Sequence, residues 1–255
     1  MIPLKDYNPT RRFPVVTVLL IAANVFVYFQ VQRPWARDQA SFSVAYAAIP
    51  CELIEGEPLS EQELTLTYRG GDTEACDRSY GGRASDLSSP GFPDKQVYLA
   101  VLYSMFLHGS LLHIGSNMLF LWVFGNNIED RMGVLGFIAF YVASGVVATF
   151  AHVAVQPDST VPLVGASGAI AGVMGAYIVL FPDVKIRSLL IYFLILIRDI
   201  PAKWVLGFWF VLQFFTNPAN GVAWVAHVGG FVFGALVALL LRDRLRPTPA
   251  PYAAF

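Results

Sequence analysis

The chain has 255 residues, of which 56% are hydrophobic and only 14% are charged, and its mean hydropathy is +0.56. About a quarter of the residues in a soluble globular domain are charged, so this chain has too little polar surface to cover itself in water. Its formal net charge of −1 gives no indication of a nucleic-acid partner. The composition therefore predicts a single domain whose surface faces lipid.

The N-terminal region carries three basic residues, Lys5, Arg11 and Arg12, followed by an apolar stretch from Phe13 to Val31. This stretch is longer than the apolar core of a signal peptide, which has roughly 7–15 residues, and no small-x-small cleavage site follows it. We therefore expect an uncleaved first membrane span at about 13–32, preceded by a cytoplasmic segment at 1–12.

Further apolar stretches are long enough to approach the roughly 20 helical residues that cross a bilayer. They predict an all-α membrane protein with six transmembrane helices, in a membrane domain at 13–243 followed by a cytoplasmic tail at 244–255. The five spans predicted after the first lie at about 97–124, 134–155, 167–182, 203–216 and 222–241.

The apolar piece at 186–197 is too short to cross the hydrocarbon layer, and Lys185, Arg187 and Arg198 flank it. It fits either an interfacial helix or an extension of a neighbouring span. Its length favours the interfacial helix.

A polar segment separates the first two predicted spans, at about 33–96. It contains six Lys or Arg and eleven Asp or Glu, with several Gly- and Pro-rich turns. We expect a folded or partly folded extracytoplasmic loop. Both cysteines of the chain, Cys51 and Cys76, lie in it, and an oxidising compartment favours a disulfide over two free thiols.

The basic residues predict the orientation, because cytoplasmic loops carry an excess of Lys and Arg. With six spans, eleven of the 17 basic residues fall on one side, the other six lie in the long 33–96 loop, and the short loops near 156–166 and 217–221 contain none. Both termini are therefore expected in the cytoplasm. The basic residues on that side are Lys5, Arg11, Arg12, Arg131, Lys185, Arg187, Arg198, Lys203, Arg242, Arg244 and Arg246.

Strongly polar side chains within predicted spans are costly and usually face the interior of a bundle or a water-filled cavity. His113 and Asn117 are four residues apart, so they project from one face of the second span. Ser167 begins the fourth span and His227 lies in the sixth. Taken singly, each is explained as well by helix packing or by an isolated hydrogen bond.

The glycines around the serine and the histidine favour a joint role. Gly230 and Gly234 follow His227 at spacings of three and seven residues, so they share its helical face. Glycine-lined faces let two helix backbones approach closely, which brings a short Ser167 side chain within reach of the imidazole. Histidine has a suitable pKa to take the proton of a serine nucleophile.

An oxyanion that forms beside the serine is stabilised by nearby hydrogen-bond donors. Ser167 begins a helix, where unpaired backbone N–H groups and the helix dipole favour negative charge. The Ser167 backbone N–H, His113 and Asn117 are the candidate donors. Together with His227 they provide nucleophile, base and oxyanion hole, the three groups that acyl transfer requires.

These motifs resemble those of the rhomboid family of intramembrane serine proteases. The similar motifs occur in the family's order: His108, His113 and Asn117; Gly125, Glu129 and Gly133 in the turn GNNIEDRMG; Gly165-Ala166-Ser167-Gly168; and Ala226-His227-x-Gly229-Gly230.

The resemblance implies a six-helix bundle with a water-accessible cavity open to the extracytoplasmic side. It implies a Ser167–His227 dyad without an acidic third member, an oxyanion hole at His113, Asn117 and the Ser167 backbone, and a structural role for His108 near the cavity mouth. No metal or organic cofactor is expected. The implied partners are substrates with a single transmembrane helix and the lipid bilayer, and the expected location is the cell membrane, with a multi-pass topology.

Two features depart from the family pattern. The first external loop of rhomboids often carries a Trp-Arg pair that lies in the membrane surface, and we find none in 33–96. The second departure is next to the serine. Many rhomboids place a tyrosine one turn after the serine, against the catalytic imidazole, but here that residue is Ala171. We therefore expect another residue, such as Trp224 or Tyr177, to orient His227.

Two other classes of function stay open. An inactive relative that binds transmembrane clients predicts loss of the serine or the histidine, and both are present. A transporter with His227 as a proton relay predicts acidic partners within the spans or an internal repeat, and neither is evident.

Overall fold

The computed structural model describes residues 1–35, 38–76, 89–191, 195–216 and 223–245. Helices dominate this part of the chain, and three short strands accompany them. In chain order the elements are β1 (Ile2–Asp6), α1 (Val15–Phe26), a π-helix (Val27–Gln32), α2 (Gln39–Tyr46), α3 (Pro50–Glu55), α4 (Glu61–Tyr68), α5 (Ala100–Ser104), α6 (Leu111–Val155), α7 (Ser167–Leu180), β2 (Lys185–Ile191), β3 (Ile195–Pro201), α8 (Ala202–Gln213), α9 (Trp224–Leu240) and α10 (Arg242–Leu245).

The first apolar helix, α1 with its π-helical continuation, extends over 15–32, close to the predicted 13–32. A carboxylate from a distant part of the chain caps its N-terminus. The side chain of Glu129 accepts hydrogen bonds from the backbone N–H groups of Val16 and Thr17, both at 2.8 Å, and from the Thr17 hydroxyl at 2.8 Å. First-turn amides have no carbonyl partner within their own helix, so Glu129 satisfies groups that would otherwise remain unpaired.

Helix α6 contains the second half of the second predicted span and all of the third. Its two halves join at Gly133, whose φ of 73° and ψ of 172° are not helical. Glycine adopts a positive φ without steric cost, so it permits this break. Each half, 111–132 and 134–155, is long enough to cross a bilayer.

The predicted start of the second span at residue 97 is wrong. The chain forms the short helix α5, then a turn, and α6 begins only at Leu111. Ser110 ends that turn, because its hydroxyl accepts a hydrogen bond from the backbone N–H of His113 at 3.1 Å and so caps α6.

The core is formed by α7, which packs between α6 and α9. At the α7–α9 contact, a Cβ added to Gly230 would overlap the carbonyl oxygen of Gly168, and one added to Gly234 would overlap that of Gly172. The two backbones therefore touch directly, as the small-residue pattern predicts.

Residues 186–197 do not form the predicted interfacial helix. They belong to a hairpin of β2 and β3, which pair antiparallel from Lys185↔Pro201 to Ile191↔Ile195, around residues 192–194 outside the described part. Strand β1 adds to β2 antiparallel, so the sheet order is β1-β2-β3. An apolar run of this length suits a strand as well as a helix. Here β2 pairs with the adjacent strand β3 on one side and with the distant strand β1 on the other. The small sheet is the exception to the predicted all-α fold among the described residues, whose other named elements are helices.

Strand β1 is fixed to the helices by a buried carboxylate. Asp6 Oδ2 accepts hydrogen bonds from Asn127 Nδ2 at 2.6 Å and from the Tyr177 hydroxyl at 2.9 Å. Burial raises the pKa of Asp6 above its ordinary value of 3.8, although both hydrogen bonds oppose the shift. Because Tyr177 lies about 15 Å along α7 from Ser167, the sheet sits at the opposite end of α7 from the serine.

The described part of the 33–96 segment is folded, with helices α2, α3 and α4. A disulfide joins Cys51 and Cys76, as predicted. Lys95 and Glu52 form an ion pair of 2.5 Å in which each side chain is only 1% exposed. A buried charge pair requires fixed surroundings, so this segment has a packed interior of its own.

The 33–96 segment lies against the chain that leads into α7. The backbone N–H of Cys51 donates to the Ser159 carbonyl at 3.0 Å, and that of Leu163 donates to the Ala48 carbonyl at 2.8 Å. Ala48 N–H in turn donates to Ser104 Oγ at 2.7 Å. These bonds brace the segment before Ser167. The predicted loop at 217–221 and nearly all of the predicted tail lie outside the described residues.

Candidate active site

Ser167 is the first residue of α7, and a tight turn presents it. The preceding Gly165 has a φ of +126°, and its N–H donates to the Ser104 carbonyl at 2.9 Å. A Cβ at Gly165 would lie 2.8 Å from His113 Nε2 and 3.4 Å from Ser167 Oγ. The turn therefore requires glycine at position 165 for two reasons: the positive φ and the lack of space for a side chain beside the serine.

His227 lies in the first turn of α9, and its Nε2 is 2.8 Å from Ser167 Oγ. The structure thus brings together the two residues whose contact the sequence predicts. Both side chains are partly exposed. The direct contact of the α7 and α9 backbones leaves the short serine side chain facing the imidazole.

The other ring nitrogen of His227 contacts Gln213, the last residue of α8. His227 Nδ1 lies 2.8 Å from Gln213 Oε1, and Gln213 Nε2 donates to the Trp209 carbonyl at 2.8 Å. The indole of Trp209 lies beside the imidazole, with ring centroids 5.8 Å apart. Helix α8 therefore provides both a hydrogen-bond partner and an aromatic neighbour for His227.

Neither residue that we expected to orient His227 does so. Trp224 packs against Phe214 with ring centroids 5.8 Å apart, and the Tyr177 hydroxyl is bonded to Asp6. Sequence reasoning missed Gln213, although a signal was present. It is a polar amide in an otherwise apolar predicted span, where such groups are costly unless they have a partner.

The two predicted oxyanion-hole side chains lie on α6. His113 is half-buried, and its Nε2 faces Gly165, next to the serine. Asn117 follows one turn later and is 6% exposed, and its Nδ2 has no hydrogen-bond partner among the described residues. A buried donor without a partner is costly, and such groups are often reserved for a ligand or a reacting atom.

A comparison with known protein families matches residues 95–244, more than half of the chain, to the Rhomboid domain. The chain belongs to the rhomboid family.

Relatives of this rhomboid occur in bacteria and in eukaryotes. It is 31% identical over 149 residues to Rhomboid protease AarA of Providencia stuartii, and the match covers 53% of each chain. It is 30% identical over 153 residues to Rhomboid protein 1, mitochondrial, of Saccharomyces cerevisiae, covering 54% of this chain and 40% of the yeast protein. Presenilin-associated rhomboid-like protein, mitochondrial, of Homo sapiens is 30% identical over 141 residues, covering 52% and 35%. The matched regions thus span about half or less of these relatives.

Two further motif positions of this rhomboid have structural explanations. His108 is fully buried, its backbone exchanges hydrogen bonds with the Gln32 amide at 2.6 and 3.0 Å, and its ring packs edge-on against His113, with centroids 5.1 Å apart. It therefore supports His113. At Gly125, an added Cβ would lie 3.2 Å from Thr17 Oγ1, so the glycine allows α1 to approach α6.

Proposed function

We propose that this rhomboid is an intramembrane serine endopeptidase that hydrolyses peptide bonds in or near transmembrane helices of membrane proteins. The observation that carries the proposal is the 2.8 Å contact between Ser167 Oγ and His227 Nε2. A serine hydroxyl is a weak nucleophile until a base takes its proton, and an imidazole nitrogen at this distance is in position to do so.

The proposed reaction has two steps that use the same pair of residues. Ser167 Oγ attacks the substrate carbonyl carbon as its proton passes to His227 Nε2, and a tetrahedral oxyanion forms. The C–N bond then breaks as the imidazolium returns that proton to the leaving amine, which produces an acyl-enzyme. Water attacks the ester as its proton passes to His227, and the second intermediate collapses as the imidazolium returns that proton to Ser167 Oγ, which releases the acid product and the free serine.

The negative charge in both intermediates requires donors that are already in place. We assign the Ser167 backbone N–H, His113 and Asn117 to this oxyanion hole. Asn117 Nδ2 is buried and has no hydrogen-bond partner among the described residues, which supports the assignment. Such a donor is free to bond to the oxyanion without first breaking another hydrogen bond. Ser167 lies at a helix N-terminus, where the dipole also favours an anion.

We propose that the bundle crosses the cell membrane six times, with both termini in the cytoplasm and the dyad open to the extracytoplasmic side. Lys5 and Arg187 are paired across the sheet at one end of the bundle. The disulfide-bearing segment packs near Ser167, at the other end. Basic residues favour the cytoplasmic side and disulfides an oxidising one, so both features favour the same orientation. Substrates with a single transmembrane helix then reach the site from the bilayer.

The test is cleavage of a model single-span substrate by the purified full chain in detergent. We expect Ser167→Ala and His227→Ala to abolish product formation, whereas Ser43→Ala, in the segment between the first two predicted spans, leaves it unchanged. Equal product from the wild type and Ser167→Ala would end the protease proposal. Substrate binding without cleavage by any of these proteins would favour the inactive client binder instead. A fluorophosphonate probe that labels only chains with Ser167 gives an independent readout.

A further inference from the structure

Gln213 is unusual among the residues of α8. One face of this helix points away from the bundle; Trp204, Phe208 and Val211 on it are 66%, 52% and 51% exposed. Gln213 is only 7% exposed, although it is the most polar residue in the second half of α8. A buried amide is costly without partners, and this one has a partner at each end.

The two contacts of Gln213 determine its orientation. The Trp209 carbonyl can only accept a hydrogen bond, so the partner at 2.8 Å must be the NH₂ group of Gln213. This leaves Oε1, an acceptor, facing His227 Nδ1 at 2.8 Å. The imidazole must therefore carry its proton on Nδ1.

The tautomer of His227 decides whether it can act as a base. A neutral imidazole has one protonated nitrogen and one with a free lone pair. With the proton on Nδ1, the lone pair is on Nε2, 2.8 Å from the Ser167 hydroxyl. The opposite tautomer would present an N–H to the serine and could not accept its proton. A wrong tautomer of the base severely reduces the rate in serine proteases.

We propose that Gln213 is a positioning residue that holds His227 in its Nδ1–H tautomer and aims Nε2 at Ser167. This inference rests on the proposed function and adds a third member, a neutral amide, to the Ser–His pair. The amide takes over part of the role that an aromatic residue at the position of Ala171 would have. Because it comes from α8, the base is correctly arranged only while the end of α8 stays packed against α9.

The test uses three variants of the full chain in detergent micelles. Gln213→Met keeps the size of the side chain but removes the acceptor. Gln213→Glu keeps an acceptor and adds a negative charge. Leu212→Met, at an adjacent residue that is 45% exposed, is the matched control. Each is assayed for kcat and KM on the model substrate over a range of pH.

We expect Gln213→Met to lower kcat roughly 10- to 100-fold, with KM nearly unchanged. The lower limit corresponds to the loss of one hydrogen bond, and the upper limit to a misplaced reacting group. Gln213→Glu should retain activity, and the acidic limb of its rate profile should move to higher pH by roughly 1–3 units, because a carboxylate stabilises the imidazolium. A residue that only helps α8 to fold would not require an acceptor here, so activity in Gln213→Glu together with its loss in Gln213→Met separates the two roles. Wild-type kcat in Gln213→Met would overturn the inference.

A spectroscopic readout separates this inference from the proposed function. Histidine labelled with ¹⁵N reports the protonated nitrogen of each ring, and a His227→Gln variant identifies the signals of His227. We expect a protonated Nδ1 in the wild type and in Leu212→Met, and loss of that state in Gln213→Met. A protonated Nε2 in the wild type refutes the role of Gln213 even if the enzyme is active. A protonated Nδ1 in a protein without Ser167-dependent cleavage refutes the protease proposal alone.

Discussion

Replacing Gly234 by alanine tests whether the contact between α7 and α9 sets the distance between Ser167 and His227. Gly234 lies seven residues after His227 on the same face of α9, and Gly172 lies five residues after Ser167 on α7. A Cβ at Gly234 would overlap the carbonyl oxygen of Gly172. The obstacle is backbone, so no side-chain rotation relieves it.

The size of the effect follows from the same geometry. The added carbon would lie 2.5 Å from the Gly172 carbonyl carbon and 2.7 Å from its Cα. Non-bonded carbon atoms are best separated by about 3.5–4.0 Å, so the two helices must move apart by roughly 1 Å. Such overpacking costs about 1–3 kcal/mol of stability. A misplacement of about 1 Å in reacting groups can reduce the rate 100-fold, so we expect kcat to fall by about that factor.

The assay is turnover of the model transmembrane substrate, measured together with thermal stability in the same detergent. Gly207→Ala on α8 is the matched control, because a Cβ there meets no atom within 4 Å among the described residues. It should keep wild-type activity and gain at most about 1 kcal/mol of helix stability. Wild-type kcat in Gly234→Ala would refute the argument that this contact positions the dyad.

Three further predictions concern other parts of the molecule. Asn117→Ala should lower kcat about 100- to 1,000-fold if Asn117 is the oxyanion donor that we propose, and unchanged turnover of the model substrate would exclude that role. Cys51 and Cys76 are 25 residues apart, so replacing both by serine should cost about 3.5 kcal/mol in loop entropy, measured by denaturant unfolding; equal unfolding midpoints would contradict this. Burial raises the pKa of Asp6, so its contribution to stability is full below the ordinary value of 3.8 and is lost as pH rises through the folded value. The wild type should therefore gain stability relative to Asp6→Asn as pH falls through that window, and a difference that is independent of pH would contradict the assignment.

Hydropathy located the apolar segments well but not all of their ends. The first helix begins within two residues of the prediction, whereas the second begins at Leu111 rather than at residue 97. Residues 97–106 are apolar, so a hydropathy profile includes them. These residues are not part of α6 because Ser110 caps the start of that helix and because Ser104 bonds to Ala48. Such contacts join distant parts of the chain and are not visible in local composition.

The site was predictable in its chemistry but not in its supporting residues. Ser167 and His227 stood out because polar groups are costly in apolar spans, and the glycine spacing predicted their contact. Gln213 is likewise a polar side chain in an apolar predicted span, where it is costly without a partner. Its link to His227 depends on the packing of α8 against α9, which no motif in the sequence specifies. The hairpin at 185–201 escaped prediction because a short apolar run fits a strand as well as a helix, and the third strand of its sheet comes from residues 2–6, far away in the sequence.

The cap that Glu129 forms on α1 has a consequence for biogenesis. The carboxylate follows the amides of Val16 and Thr17 by more than a hundred residues. At about 5–20 residues per second, a ribosome needs on the order of 6–20 s to synthesise the intervening chain. Until then, the first-turn N–H groups of α1 lack the carboxylate that pairs with them in the folded protein. Docking of this helix is therefore a late event, which waits until the turn between the halves of α6 has left the ribosome.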